Sequence, residues 1–215
     1  MSRLLVLTVM VFAAVAVLPA VPIACPTSGA LTVLTGMSSE GCLSQDKIFN
    51  NFEYTPVAGG VSATNINFNL VSQSGTSDVH GWSFVPTTAW VLGFTLSYDI
   101  TVAPGNPLFA IVLSKDQINT GGVPNGIIIN DTQTGVTPSP LVTSGTIGGE
   151  TAFSNSYNLQ TIHTSSVATI PAGRNLLSYE QDWFQGSSIP EPMSFVLIGT
   201  GLLGLGLMRR RVRKS

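Results

Sequence analysis

Alternating apolar and polar side chains predict several strands in the middle of the chain. Residues 64–71 alternate asparagines with Ile66, Phe68 and Leu70, which is the pattern of a half-buried strand. Residues 90–102 keep the same two-residue period over a longer stretch. Their apolar face consists of Leu92, Phe94, Leu96, Tyr98, Ile100 and Val102.

The segment after this strand predicts a hairpin. Residues 103–107 read Ala-Pro-Gly-Asn-Pro, a turn sequence, and residues 108–114 are almost continuously apolar. We therefore expect residues 90–114 to form two paired strands joined by a five-residue loop. Further strand candidates are residues 80–85, 126–130, 151–163, 166–170 and 175–184.

Short strands separated by Gly, Pro and Asn favour an all-β protein. No window of residues 25–189 shows the periodicity of a long helix. The expected fold class is an antiparallel β-sandwich of jelly-roll or immunoglobulin-like type. The pattern does not fix the strand order.

The N-terminus has the features of a secretory signal peptide. Arg3 precedes an uncharged apolar run over residues 4–18, followed by Pro19 and small residues. That run is shorter than the roughly 20 residues of a membrane span. We assign residues 1–24 to a signal helix that directs the chain to the Sec translocon. A retained N-terminal anchor is the alternative.

The C-terminus predicts a second membrane-directed segment. Pro190, Glu191 and Pro192 precede an uncharged run at 193–208. A 16-residue helix is about 24 Å long, against about 30 Å of bilayer core, so it is a marginal transmembrane helix. The cluster that follows stops transfer and stays cytoplasmic by the positive-inside rule. It consists of Arg209, Arg210, Arg211, Arg213 and Lys214.

These three parts in this order resemble the PEP-CTERM sorting signal of Gram-negative bacteria. The resemblance covers residues 190–215 and implies cleavage near Pro190-Glu191-Pro192 by an exosortase, a membrane-embedded peptidase. The prolines keep this segment extended, as a peptidase requires. The domain division is therefore a signal peptide at 1–24, an exported domain at 25–186 and a sorting signal at 187–215. An ordinary C-terminal anchor is the alternative.

The charge of residues 25–189, the body of the protein, argues against a nucleic acid partner. Residues 25–189 hold three basic and ten acidic residues, a net charge of −7. A body with three scattered cations cannot follow a phosphate backbone, so we expect no nucleic acid partner. Two cysteines and two histidines also exclude multi-metal Cys/His sites, and we expect no cofactor.

Cys25 and Cys42 are the only cysteines. Because the exported body meets an oxidising compartment, we predict that they form a disulfide. A lipoprotein acylated at Cys25 is the alternative, but it would leave Cys42 unpaired. Residues 42–54 also loosely resemble the first strand of many proteins with this tail, and that resemblance implies no activity.

Catalytic residues are not expected. His80 and His163 have no Gly-x-Ser-x-Gly motif to accompany them, and we expect each to be a solvated strand or turn residue. Glu180 and Asp182 would share a strand face beside Trp183 and Phe184, whose rings are candidate glycan contacts. Trp82 and Trp90 are expected in the core. A loop Ca²⁺ site using Asp99, Asp116 or Asp131 stays open, although the EF-hand pattern fails.

The expected function is a non-enzymatic structural protein of the cell surface or extracellular matrix. The resemblance implies a membrane-anchored precursor, exosortase processing and an association with exopolysaccharide and biofilm. A lectin-like carbohydrate-binding module is the alternative, and a secreted hydrolase is a third.

Overall fold

Strands make up most of the described structure. The computed structural model describes residues 21–73, 78–104, 110–121, 126–144, 150–155 and 158–186. The strands in these ranges are β1 Ile23–Ala24, β2 Ser28–Ala30, β3 Cys42–Ser44, β4 Lys47–Pro56, β5 Ile66–Gln73, β6 Val79–Pro86, β7 Phe94–Val102, β8 Ile111–Asn119, β9 Ile128–Gln133, β10 Leu141–Ser144, β11 Glu150–Phe153, β12 Thr161–Thr169 and β13 Ser178–Gln185. A short helix α1 spans Leu31–Thr35, and a 3-10 turn spans Ala63–Asn65.

Most of the two segments with targeting patterns lies outside these ranges, including residues 1–20 of the predicted signal peptide, the Pro-Glu-Pro segment and the predicted helix at 193–208. Of the signal peptide predicted at 1–24, only residues 21–24 are described, and there Ile23–Ala24 form the strand β1 rather than a helix. In the part of the chain that is described, no helix has the length and apolarity needed to cross a bilayer.

The strands form two sheets, which confirms the mostly β architecture and fits a sandwich. One sheet has the order β1-β3-β4-β7-β12-β9-β10, and the other has the order β11-β8-β13-β6-β5-β2. The pairs are antiparallel except β1 with β3, which is parallel. The strand β13, the last strand in the described ranges, lies between β6 and β8 in the second sheet.

The alternating pattern at 90–102 correctly located a strand and its buried face from Phe94 onward, but Leu92, which was expected on that face, lies before the strand and is exposed. From Phe94 to Val102 buried and half-buried residues alternate at every position. The strand β5 also matches its predicted segment, with Ile66 and Phe68 buried and Asn67 and Asn69 exposed. Side-chain alternation thus identifies the inner face, since the pleat sends successive side chains to opposite faces.

The predicted hairpin over 90–114 is wrong. The strand β7 pairs with β4 and β12, whereas β8 pairs with β13 and β11 in the other sheet. The chain passes from one sheet to the other between β7 and β8, and each of these strands pairs with strands that are distant in the sequence. The single segment predicted at 151–163 is likewise divided between β11 and β12.

Aromatic residues fill the space between the sheets at one end. The fully buried Trp82 makes edge-to-face contacts with Phe49, Phe52 and Phe68, at ring-centroid distances of 5.3, 5.6 and 5.5 Å. Such contacts add about 0.5–1.5 kcal/mol each to the free energy of burial. Trp90 is also in the core, as predicted.

A disulfide joins Cys25 to Cys42, as the sequence predicted. Cys42 lies on β3 and is fully buried. The bond attaches the chain after β1 to the hairpin of β3 and β4, at the edge of the seven-stranded sheet. It therefore secures a stretch that otherwise has only short strands to hold it.

Candidate functional site

The aromatic residue proposed as a glycan contact does not face solvent. Trp183 lies on β13, is fully buried, and donates a hydrogen bond from Nε1 to Tyr98 Oη at 2.9 Å. The expectation for Trp183 is therefore wrong, because a core indole cannot stack on a surface-bound sugar. Phe184 points to the opposite face of the sheet and is half-buried.

Glu180 and Asp182 share that opposite face, as their two-residue spacing predicted. Lys115 on β8 lies between them, with Nζ 3.4 Å from Glu180 Oε1 and 2.6 Å from Asp182 Oδ2. Burial raises the pKa of Asp182 to about 6, and the hydrogen bond from Lys115 opposes that shift. Lys115 thus bridges the two carboxylates, whereas the paired carboxylates of a glycosidase flank the bond that is cleaved.

The two histidines have different surroundings. His163 on β12 is half exposed, and its Nδ1 lies 2.6 Å from Asp99 Oδ1 on β7. His80 on β6 is fully buried, so the expectation of a solvated residue is wrong for it. The ring contacts of both histidines among the described residues are with Asp46, Asp99 and Gln185 rather than with a serine hydroxyl, so these ranges contain no Ser-His-acid arrangement.

A layer of polar side chains occupies the interior between the two sheets. At its centre Asp131 on β9 is fully buried and accepts four hydrogen bonds. Its Oδ1 accepts from Thr164 at 2.6 Å and from Ser166 at 3.0 Å, and its Oδ2 accepts from Gln181 at 2.6 Å and from Gln133. A carboxylate with four donors is stabilised in its charged form. Burial nevertheless raises its pKa, and these hydrogen bonds oppose that shift.

Asp116 lies in the same layer but lacks this support. It is fully buried on β8, and neither carboxylate oxygen has a well-aligned donor among the described residues. Burial and the nearby charge of Asp131 raise its pKa well above the usual value, although Gln181 and Tyr179 lie near enough to oppose the shift. We infer that Asp116 is neutral while Asp131 is charged.

This layer does not form a recognisable metal centre. Asp99, the third candidate for the Ca²⁺ site, lies on β7 beside His163 rather than in the interior layer. In the described ranges no three His, Cys, Asp or Glu residues come together in a way that could hold a metal ion.

Sequence reasoning missed the interior layer because its members are polar. Asp131 and Gln133 lie two and four residues after buried Ile129, and Asp116 lies two residues before buried Ile118. The two-residue period of a strand therefore places all three on the inner face, and this spacing could have located the layer from the sequence.

A second buried polar cluster lies where the body ends. Lys47, the first residue of β4, is fully buried with Nζ 2.6 Å from Gln185 Oε1 and 2.7 Å from Asp46 Oδ2. His80 Nε2 lies 3.3 Å from the same Gln185 oxygen. Burial lowers the pKa of Lys47, against the opposing effect of Asp46. Burial and the charge of Lys47 also lower the pKa of His80.

A shallow groove on the six-stranded sheet presents polar side chains to solvent. It has a volume of about 440 Å³ and follows the edge strands β2 and β5. Asn67 and Asn69 face it without side-chain hydrogen bonds among the described residues. The lining residues are Ser28, Gly29, Asn67, Phe68, Asn69 and Val85.

The body therefore ends in a strand anchored on both sides, and a distinct segment follows it. Residues 188–211, two residues beyond the last described one, match the family model of the PEP-CTERM protein-sorting motif. This chain carries a PEP-CTERM sorting motif. The match confirms the resemblance found in the sequence and supports an exosortase substrate.

The PEP-CTERM motif covers the tail, and the other comparisons add little about the body. No curated protein matches the chain. One solved structure with some similarity is described as TmCBM61 in complex with β-1,4-galactotriose. The TM-score is 0.28 and the identity 11%, over 54% of this chain and 83% of that one. A likeness of this size assigns neither topology nor ligand.

Proposed function

We propose that this chain is the precursor of an exported structural protein of the cell surface or extracellular matrix, processed by an exosortase and associated with exopolysaccharide. The PEP-CTERM motif at 188–211 carries the proposal. The Sec translocon would export residues 25–186 after recognition of residues 1–24. The helix at 193–208 and the basic cluster would then hold the precursor in the membrane until cleavage.

The surface of the body supports a role beside hydrated polysaccharide. The outer face of the seven-stranded sheet brings hydroxyl groups together across strands, including the pairs Thr101 with Thr161 and Ser165 with Thr132. Hydroxyl side chains can donate and accept hydrogen bonds with sugar hydroxyls. The net charge of −7 over residues 25–189 also avoids non-specific binding to nucleic acid.

Substitution within the sorting segment tests the proposal in the native host. We expect Glu191→Ala to leave the protein in the inner-membrane fraction, whereas wild type reaches the surface or matrix fraction. The matched control is Glu40→Ala, which removes an exposed carboxylate from the body. If Glu191→Ala and Pro190→Ala with Pro192→Ala all reach the matrix as wild type does, sorting does not depend on this segment.

Glycan binding is a second candidate function, and the shallow groove favours it. Two free amides beside the apolar Val85 provide the combination of polar and apolar contacts typical of small-ligand sites. We expect Asn67→Ala with Asn69→Ala to abolish retention on the host exopolysaccharide if the groove is the site. The control is Gln117→Ala, at an exposed amide on β8 that does not line the groove. Equal retention of all variants would exclude the groove.

A further inference from the structure

The Lys47 cluster joins the start of β4 to the end of β13 across the sandwich. Lys47 begins β4 in the seven-stranded sheet, and Gln185 ends β13 in the six-stranded sheet. Their side chains meet in the interior, with Lys47 Nζ 2.6 Å from Gln185 Oε1. Lys47 is fully buried and Gln185 is 8% exposed, so bulk water does not separate the amine from the amide.

The environment favours a reactive amine. A lysine rarely occupies a fully buried position, because desolvation disfavours its charged form. Desolvation indeed lowers the pKa of Lys47, although Asp46 and Asp78 oppose the shift. A neutral, desolvated lysine is a nucleophile towards a carbonyl carbon.

Two neighbours can assist an attack on the amide. Asp46 Oδ2 lies 2.7 Å from Lys47 Nζ and can accept a proton from it. His80 Nε2 lies 3.3 Å from Gln185 Oε1 and 3.5 Å from Asp46 Oδ1. Since both of those atoms are acceptors, Nε2 carries the hydrogen and can stabilise negative charge on the amide oxygen. His80 Nδ1 is buried without a hydrogen-bond partner in the described ranges, which is consistent with that neutral tautomer.

We propose that Lys47 and Gln185 form an intramolecular isopeptide crosslink. Lys47 Nζ attacks Gln185 Cδ, forming the N–C bond, and the oxygen of the tetrahedral intermediate is held by His80 Nε2–H. Asp46 takes one proton from Nζ and delivers it to Gln185 Nε2. The Cδ–Nε2 bond then breaks and one molecule of ammonia leaves. No oxidant, reductant or cofactor is required.

Such a bond would connect the two sheets covalently at the exit of the chain. It would close a loop from residue 47 to residue 185, which includes most of the body. A force applied through the C-terminal segment would then pass from β13 directly to β4 without unzipping the intervening strands. This modification goes beyond the proposed function and does not depend on it.

The test is the mass and peptide map of the natively folded, exported wild-type protein. After reduction of the Cys25–Cys42 disulfide, we expect an intact mass lower than the sequence mass by one ammonia. Between residues 25 and 186 trypsin has only Lys47, Lys115 and Arg174 as cleavage sites. In the denatured protein we expect loss of cleavage after Lys47 and a branched peptide containing both Lys47 and Gln185.

Variants separate the crosslink from other losses of ammonia. Lys47→Arg and Gln185→Met should each restore the full sequence mass, allowing for the substitution. The control Lys115→Arg, at a lysine on the outer face, should keep the crosslink. A wild-type protein with full mass and complete cleavage after Lys47 would overturn the proposal, and so would an ammonia loss that maps to an asparagine.

Discussion

At the scale of single residues, the two buried aspartates of the interior polar layer differ in the hydrogen bonds that they accept. Asp131 accepts four hydrogen bonds, whereas neither carboxylate oxygen of Asp116 receives a well-aligned one among the described residues. Two carboxylates that repel each other in a desolvated interior cannot both be charged without a large cost in free energy. The pair therefore shares one negative charge, held by the residue with more donors.

Replacing the charged member should be costly. In Asp131→Asn the new amide NH₂ would replace one of the two carboxylate oxygens, either the one that accepts from Thr164 and Ser166 or the one that accepts from Gln133 and Gln181. A donor would then face donors, so at least one hydrogen bond becomes a repulsive contact. We expect the free energy of unfolding at pH 7 to fall by about 3 kcal/mol. Denaturant unfolding of the exported body measures this change. A loss no greater than that of Glu40→Gln, an exposed control, would contradict the assignment of Asp131 as the charged residue.

Replacing the neutral member should have the opposite effect. Because the native pKa of Asp116 is raised, the native state holds a proton that the unfolded state releases. The free energy of unfolding therefore decreases as pH rises above about 4, the ordinary pKa of the unfolded aspartate. Asp116→Asn removes this dependence and should stabilise the protein at pH 7.5 by about 1–3 kcal/mol.

A comparison of denaturation at pH 5 and pH 7.5 distinguishes these effects. The stabilisation by Asp116→Asn should be larger at pH 7.5 than at pH 5. If the variant is destabilised equally at both pH values, Asp116 is charged in the native protein and accepts hydrogen bonds from groups outside the described residues.

At the scale of elements, the sequence predicted individual strands better than their partners. Alternation from Phe94 to Val102 and in Ile66–Gln73 reflects local contact with the core, which each segment records by itself. Pairing depends on non-local contacts, so β7 and β8 were expected to be neighbours although they lie in different sheets. Trp183 was misplaced for a related reason: aromatic residues near the end of a body suit a binding face as well as a core.

The edge of the seven-stranded sheet depends on the disulfide. Cys25 and Cys42 are separated by 17 positions, and the chain between them contains only β2 and the short helix α1. In the chain-entropy model, closing a loop of this size adds about 3 kcal/mol to the free energy of unfolding. We expect Cys25→Ser with Cys42→Ser to lose an amount of this order in denaturant unfolding. The reduced wild type should lose a similar amount, and a double variant as stable as the oxidised protein would contradict the role of the bond.

At the scale of the whole molecule, a well-anchored strand precedes the PEP-CTERM motif at 188–211. The strand β13 pairs on both sides, and its final side chain contacts Lys47 in the opposite sheet. Cleavage beyond residue 187 would therefore leave the described strands intact. Under the proposed processing, the mature protein would keep its body and lose the segment predicted as a helix at 193–208 together with the basic cluster.

The most direct test of this account is the C-terminus of the protein from its native host, with and without the exosortase. Intact mass and cell fractionation are measured together in both strains. We predict that residues beyond about Pro190 are lost only when the enzyme is present, and that the shortened protein lies outside the inner membrane. A full-length C-terminus in the inner membrane of both strains would contradict the account and make the tail a permanent anchor.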